Sequence, residues 1–143
     1  MKDSALTPPQ NPVDIDDAIA WTKKWQRENS DHAKAFLIPI QDLLGCMTEM
    51  GLTITKDASG KYVSSDPDAD LRAYIGIDEK QLTTGFGEKL VIVGTVKNGT
   101  IHSDIVKGGD YPTEKATIIG SGAFDITKPC PNNCDELSPL FHK

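Results

Sequence analysis

Long apolar runs are missing from this 143-residue chain. No stretch approaches the roughly 18 consecutive apolar residues that a bilayer-crossing helix needs. Positive charge is also scarce: 15 Lys and Arg stand against 21 Asp and Glu, a net charge of −6. Binding to phosphate backbones or anionic lipid rests on clustered cations, so neither a nucleic-acid nor a membrane partner is expected. The opening residues Met1-Lys2-Asp3-Ser4-Ala5-Leu6 hold no apolar signal core. That points to a cytoplasmic protein, with a non-classical export route left open.

Catalytic signatures are lacking too. Neither Gly-x-Ser-x-Gly nor His-Glu-x-x-His occurs. Gly85-Phe86-Gly87-Glu88-Lys89 and Gly120-Ser121-Gly122-Ala123 are glycine-rich, but neither completes a phosphate-binding loop. The histidines are His32, His102 and His142. His102 is followed by Ser103-Asp104, yet neighbours on a strand point to opposite faces, so adjacency is not contact. Asp66-Pro67-Asp68-Ala69-Asp70 imitates the start of a calcium loop, but Leu71 stands where glycine belongs and Ile77 where a bidentate glutamate belongs. It reads as a solvated acidic loop. No catalytic, cofactor-binding or metal-binding residue is assigned, and no cofactor is expected.

What is present is ordinary globular material, with 38% hydrophobic and 25% charged residues. The length fits one domain. Residues 1–13 form an extended arm with Pro8, Pro9 and Pro12, residues 14–128 a single α+β domain, and residues 129–143 an irregular tail on it. A helix is predicted from Asp14, with Ile15, Ala18, Ile19, Thr22 and Trp25 on one stripe. A second runs from Asp31 to Met50, stopped by Gly51 and kinked or broken by Pro39 near residues 35–39. Their short connection predicts an antiparallel helix hairpin.

After Gly51 the apolar period falls to two. Residues 52–55 and 61–63 are expected to pair, and Leu71–Ile77 is a strand with Leu71, Ala73, Ile75 and Ile77 on one face. Leu90–Val96 is apolar on both faces, which marks a central strand. Asn98-Gly99 signals a hairpin, and residues 116–126 read as a last strand. The fold class is α+β: the helix hairpin covers one face of a mainly antiparallel sheet of four to six strands, with Ile75 and Ile92 both in the core.

Cys130 and Cys134 stand in the most unusual local sequence, Pro129-Cys130-Pro131-Asn132-Asn133-Cys134. The spacing permits a disulfide if Pro131-Asn132-Asn133 makes a turn. Zinc is the alternative, with His142 as a third ligand, but a closed structural site wants four. Cys46 reads as a small buried thiol. Trp21 and Trp25 lie one turn apart; Trp25 is on the apolar stripe and Trp21 off its edge, so Trp21 is the expected interface residue.

Several segments together resemble a set of small uncharacterised proteins from Bacteroidota genomes: the helix pair with Trp-x-x-x-Trp and Ala35-Phe36-Leu37-Ile38-Pro39, the strands at 71–78 and 90–96, and the ending Phe124–Cys134. The resemblance covers about residues 14–140. It implies a bacterial origin and a Pro-Cys-Pro-Asn-Asn-Cys ending that belongs to the design, and it carries over no activity or functional residue. The leading reading is a non-catalytic interaction or self-assembly module, joined to itself or a protein partner through Pro8, Pro9 and Trp21. A small metal- or ligand-binding protein using the Cys130/Cys134 tail stays open beside it, as does an enzyme with an unrecognised site.

Overall fold

The structure, a computed structural model, describes residues 13–81, 87–109, 112, 123–125, 128–130 and 134–143. Helix α1 spans Ile15–Glu28. The Asp14 carboxylate caps it, accepting from the Asp16 N–H at 2.9 Å, and Asp16 and Asp17 sit at the positive end of its dipole. Its inner face departs from the expected stripe. Ala18, Ile19 and Thr22 are half-buried, but the buried position is Gln26, while Trp25 is largely exposed.

The cause is what covers α1. A stretch of backbone from the C-terminal segment lies against it. Gln26 Nε2 donates to the Leu140 carbonyl at 2.9 Å, and Gln26 Oε1 accepts from the His142 N–H at 2.8 Å. Lys34 donates to the His142 carbonyl and lies 4.6 Å from the centre of the Phe141 ring. An amide donates to the one carbonyl and accepts from the other residue's N–H, where an indole, a donor only, would leave the His142 N–H unpaired.

The expected helix over residues 31–50 is replaced by strand β1, Ala35–Leu37, and the shorter helix α2, Ile40–Glu49. The residue before a proline is driven to extended backbone, so the helix cannot run through Ile38-Pro39 and starts after it. β1 pairs antiparallel with a strand late in the chain, β8, Lys128–Cys130, with Phe36 opposite Pro129. The expected irregular tail therefore opens with a paired strand. The Lys34 N–H also donates to the Cys130 carbonyl at 2.7 Å. The expected helix hairpin on one sheet face is corrected accordingly: α2 lies on the sheet, and α1 is held by the C-terminal segment.

β2, Ile54–Lys56, and β3, Tyr62–Ser64, form a small hairpin. The Asp57 carboxylate gathers its turn. Bonds from the Ser59 hydroxyl, and then from the Lys61 amide, hold that carboxyl below its ordinary pKa. The main sheet is centred on β5, Glu88–Asn98. β4, Leu71–Ile77, pairs with one edge of it; β6, Ile101–Asp104, and β7, Ala123–Asp125, share the other. β7 is the described part of the expected last strand. β5 and β6 are joined by a two-residue turn at Gly99-Thr100, one position later than the Asn98-Gly99 motif implies. Gly99 takes φ 65°, the left-handed region glycine tolerates.

One face of the sheet lies under α2. Cys46 packs on Ile92 with Leu43, Leu71 and Leu90 around them, and Met50 packs on Ile105 with Leu52, Ala69 and Val96. α2 is about 15 Å long. It covers the Leu71 end of β4 and leaves Ile75 and Ile77 73% and 68% exposed. Ile92, at 5%, is core as expected; Ile75, on the same face, is not. At the start of β5 the buried Glu88 accepts from His32 Nδ1 and the Ala33 N–H, which ties the chain before β1 to the sheet.

Cys46 is fully buried, and burial first, then Glu49 and Asp42, pushes its thiol pKa up to about 11. The native protein should therefore show no reaction of Cys46 with a thiol reagent at pH 8, and one reactive thiol after unfolding. The fold favours the neutral thiol. Its contribution to stability is complete below pH 9.0 and is lost as the pH rises toward about 11.

Candidate functional site

The alternation of β5 sorts its side chains. Ile92, Gly94 and Val96 face α2; Val93, Thr95 and Lys97 face the other way. Register places His102 opposite Lys97 and Asp104 opposite Thr95, on the same outer face. Arg72 reaches over β5 to pair with Asp104, and its other guanidinium nitrogen donates to the His102 carbonyl at 2.9 Å. The Tyr74 hydroxyl donates to the second oxygen of Asp104. Asp104 is thus fully engaged and does not orient His102.

His102 has other neighbours. Its Nδ1 lies 3.3 Å from Thr95 Oγ1, and its Nε2 lies 3.7 Å from an Asp70 carboxylate oxygen. The order hydroxyl, imidazole, carboxylate imitates a nucleophile with its base. The protons do not fit that chemistry. Thr95 Oγ1 donates its one proton to the Asp70 carbonyl at 2.6 Å, so it accepts from His102 Nδ1–H. The imidazole cannot take a proton from Thr95 through a nitrogen that already carries one. This is a braced polar face rather than a triad.

Beside it is a cleft of about 410 Å³. It opens where β4 stops, because the first residue of β4, Leu71, pairs with Gly94 while β5 continues to Asn98. Met50, Leu52, Ala69 and Val96 give the cleft an apolar part. Ser65, Asp66, Asp68, Thr95, Lys97 and His102 give it a polar one. Lys97 Nζ lies 3.5 Å from Asp68. The acidic loop that imitates a calcium site is one wall of this cleft. Among the described residues no group of His, Cys, Asp and Glu gathers to hold a metal.

A second feature is the outer edge of β4. Asp78 N–H donates to the Gly87 carbonyl, so the even residues of β4 turn their backbone toward β5. Leu71, Ala73, Ile75 and Ile77 turn their N–H and C=O groups outward, where no described strand pairs with them.

The residues singled out by sequence are scattered. Cys130 and Cys134 are joined by a disulfide with Cα atoms 4.8 Å apart, which consumes the two thiolates a zinc site would use. His142 bridges instead toward α1, with Nε2 3.5 Å from Thr22 Oγ1. Trp21 is 61% exposed on α1, and Trp25, expected in the core, leans toward His32 with ring centres 6.3 Å apart. Pro8 and Pro9 lie outside the described residues, as do Gly85, Gly120 and Gly122. The structure does not bring Trp21, the disulfide and the cleft into one site. Sequence reading missed the cleft, whose walls come from three separate segments, and Gln26, whose polarity hid its burial. No helix among the described residues is long and apolar enough to cross a membrane. No family model matches the chain, and no curated protein or solved structure matches it.

Proposed function

We propose that this chain is a self-associating interaction module and that two copies join edge to edge along β4. The observation that carries the reading is the outer edge of β4, which no described strand pairs, with Ile75 and Ile77 exposed beside it. Such an edge is a template for pairing unless proline, a bulge or inward charge blunts it. Residues 71–77 hold no proline, and their one charge, Arg72, is on the outer face.

The sequence around this edge is self-complementary. Arg72 and Asp78 are equidistant from Ile75, as are Asp70 and Lys80, and each couple is of opposite charge. An antiparallel pair centred on Ile75 sets Arg72 against Asp78 of the second copy, Ala73 against Ile77, Tyr74 against Gly76, and Ile75 against itself. Centring on Tyr74 would set Asp70 against Asp78, like against like. Cross-strand charge pairs are worth roughly 0.2–1 kcal/mol each, toward the low end here because Arg72 also pairs with Asp104 of its own chain, and the two-fold axis counts each pair twice. Asp78→Lys should therefore weaken the dimer about tenfold while Asp78→Glu leaves it intact, read by sedimentation. Equal dimerisation of both variants would rule this register out.

The disulfide bears on location. Cys130–Cys134 suits an oxidising compartment better than the cytoplasm that the opening residues suggest. Cells lysed directly into denaturant with iodoacetamide should yield protein alkylated once, at Cys46. Alkylation at all three cysteines would place the chain in a reducing compartment.

A further inference from the structure

We propose that the interface between copies has a second layer, in which Ile77 of each copy seats in a notch between Ala73 and helix α2 of the other. The inference rests on the β4 pairing above and adds a contact that strand pairing alone does not require. The notch follows from how α2 is turned. Ile105 N–H donates to the Gly94 carbonyl at 2.9 Å, so Ile92, Gly94 and Val96 turn their backbone groups toward the β6 and β7 side. Cys46 Sγ lies 4.0 Å from the Ile92 carbonyl, so Cys46 leans to that side. At about 100° per residue, Leu44 lies about 160° around the helix from Cys46, and Ile40 about 120°. Both therefore lean the opposite way, toward β4, and both are exposed. Half-buried Met47 continues this ridge. Below the ridge is Ala73, which register sets beside Ile92 under Cys46. Ala73 is exposed, and its single methyl leaves a gap between strand and ridge.

The second copy supplies the occupant. In the pairing centred on Ile75, Ile77 is set against Ala73, on the face that carries α2. A branched side chain beside a lone methyl fills the gap that Ala73 leaves. Within its own chain Ile77 pairs with Glu88, beyond the end of α2, and stays exposed. It stands four residues along β4 from Ala73, about 14 Å, so Leu44 meets Ile77 of the other copy and not its own. The two-fold axis brings Ile40, Leu44, Ile75 and Ile77 of both copies into one cluster. That gives the pairing the apolar centre that homodimer interfaces carry.

The test is sedimentation equilibrium of Leu44→Ala, Ile77→Ala and the double variant beside the wild type. Each single variant should keep its secondary structure and weaken the dimer at least tenfold. The double variant should be less than threefold weaker than either single, because both remove the same contact. Ile101→Ala, exposed at the far end of the sheet, should leave the dimer unchanged. A second measurement does not depend on stability. In a mixture of Leu44→Cys and Ile77→Cys chains, a short bis-maleimide should join residue 44 of one chain to residue 77 of the other. Cys46 is buried and the remaining cysteines are bonded, so neither competes. A Leu44→Ala dimer as tight as the wild type, losses that multiply in the double variant, equal weakening by Ile101→Ala, or no 44–77 link in a mixture that dimerises would each overturn the notch and leave the β4 pairing standing. A wild-type chain that stays monomeric would overturn both.

Discussion

Replacing Ile92 by alanine is expected to cost about 2–5 kcal/mol of unfolding free energy, while the same change at Ile75 should stay within about 0.5 kcal/mol. The two residues lie on the same face of neighbouring strands and are of the same type. They differ in cover. Ile92 sits under Cys46, with Leu43, Leu71 and Leu90 around it, and its truncation leaves a hole that α2 cannot close. Ile75 lies beyond the reach of α2 and is 73% exposed, so its loss removes little that folding had buried. Urea unfolding at a concentration low enough to keep the chain monomeric measures both. Equal losses at the two positions would contradict the placement of α2.

Gly94→Ala is expected to destabilise by about 1–3 kcal/mol, although the added group is one methyl. A Cβ at Gly94 would stand 2.6 Å from Met50 Cγ and 3.1 Å from its sulfur, with the Cys46 carbonyl at 3.5 Å. Met50 is itself buried against Ile105, so it has little room to retreat without lifting the end of α2. The clash is specific to this pair, which makes it separable. Met50→Ala alone should cost about 2–5 kcal/mol, and Gly94→Ala added to it should cost almost nothing more. Additive losses in that cycle would mean that Gly94 matters for its backbone and not for the approach of α2.

These two sites also show how far local sequence carries. β4 occupies Leu71–Ile77, the strand its alternation predicts, because a period of two over seven residues has one physical solution. β5 was readable as central because both of its faces are apolar and both are covered or paired. β1 was not readable. Ala35-Phe36-Leu37 sits in a helical pattern, and its partner, Lys128–Cys130, lies at the far end of the chain, where no window of sequence sees it. The exposure of Ile75 was hidden for a related reason. Strand periodicity names the apolar face but not how far a covering helix extends, and the shortening of α2 by Pro39 decides that. The cleft lay deeper still. Asp66, Asp68 and His102 were each noted in the sequence, but the feature that gathers them is the early end of β4, a property of pairing and not of composition.

Self-association along β4 is tested most directly by sedimentation equilibrium of the wild-type chain and of Ile75→Lys over a range of concentrations. Ile75 is the centre of the proposed pairing, so the substitution places two cations opposite each other and removes two apolar side chains at once. The residue is exposed in the single chain, so the monomer should keep its fold and its urea midpoint. The expected result is a concentration-dependent dimer of the wild type and a monomer of unchanged secondary structure for Ile75→Lys. A wild-type chain that stays at its 15.5 kDa monomer mass at the highest concentration, or an Ile75→Lys chain that dimerises as the wild type does, would contradict edge-to-edge assembly.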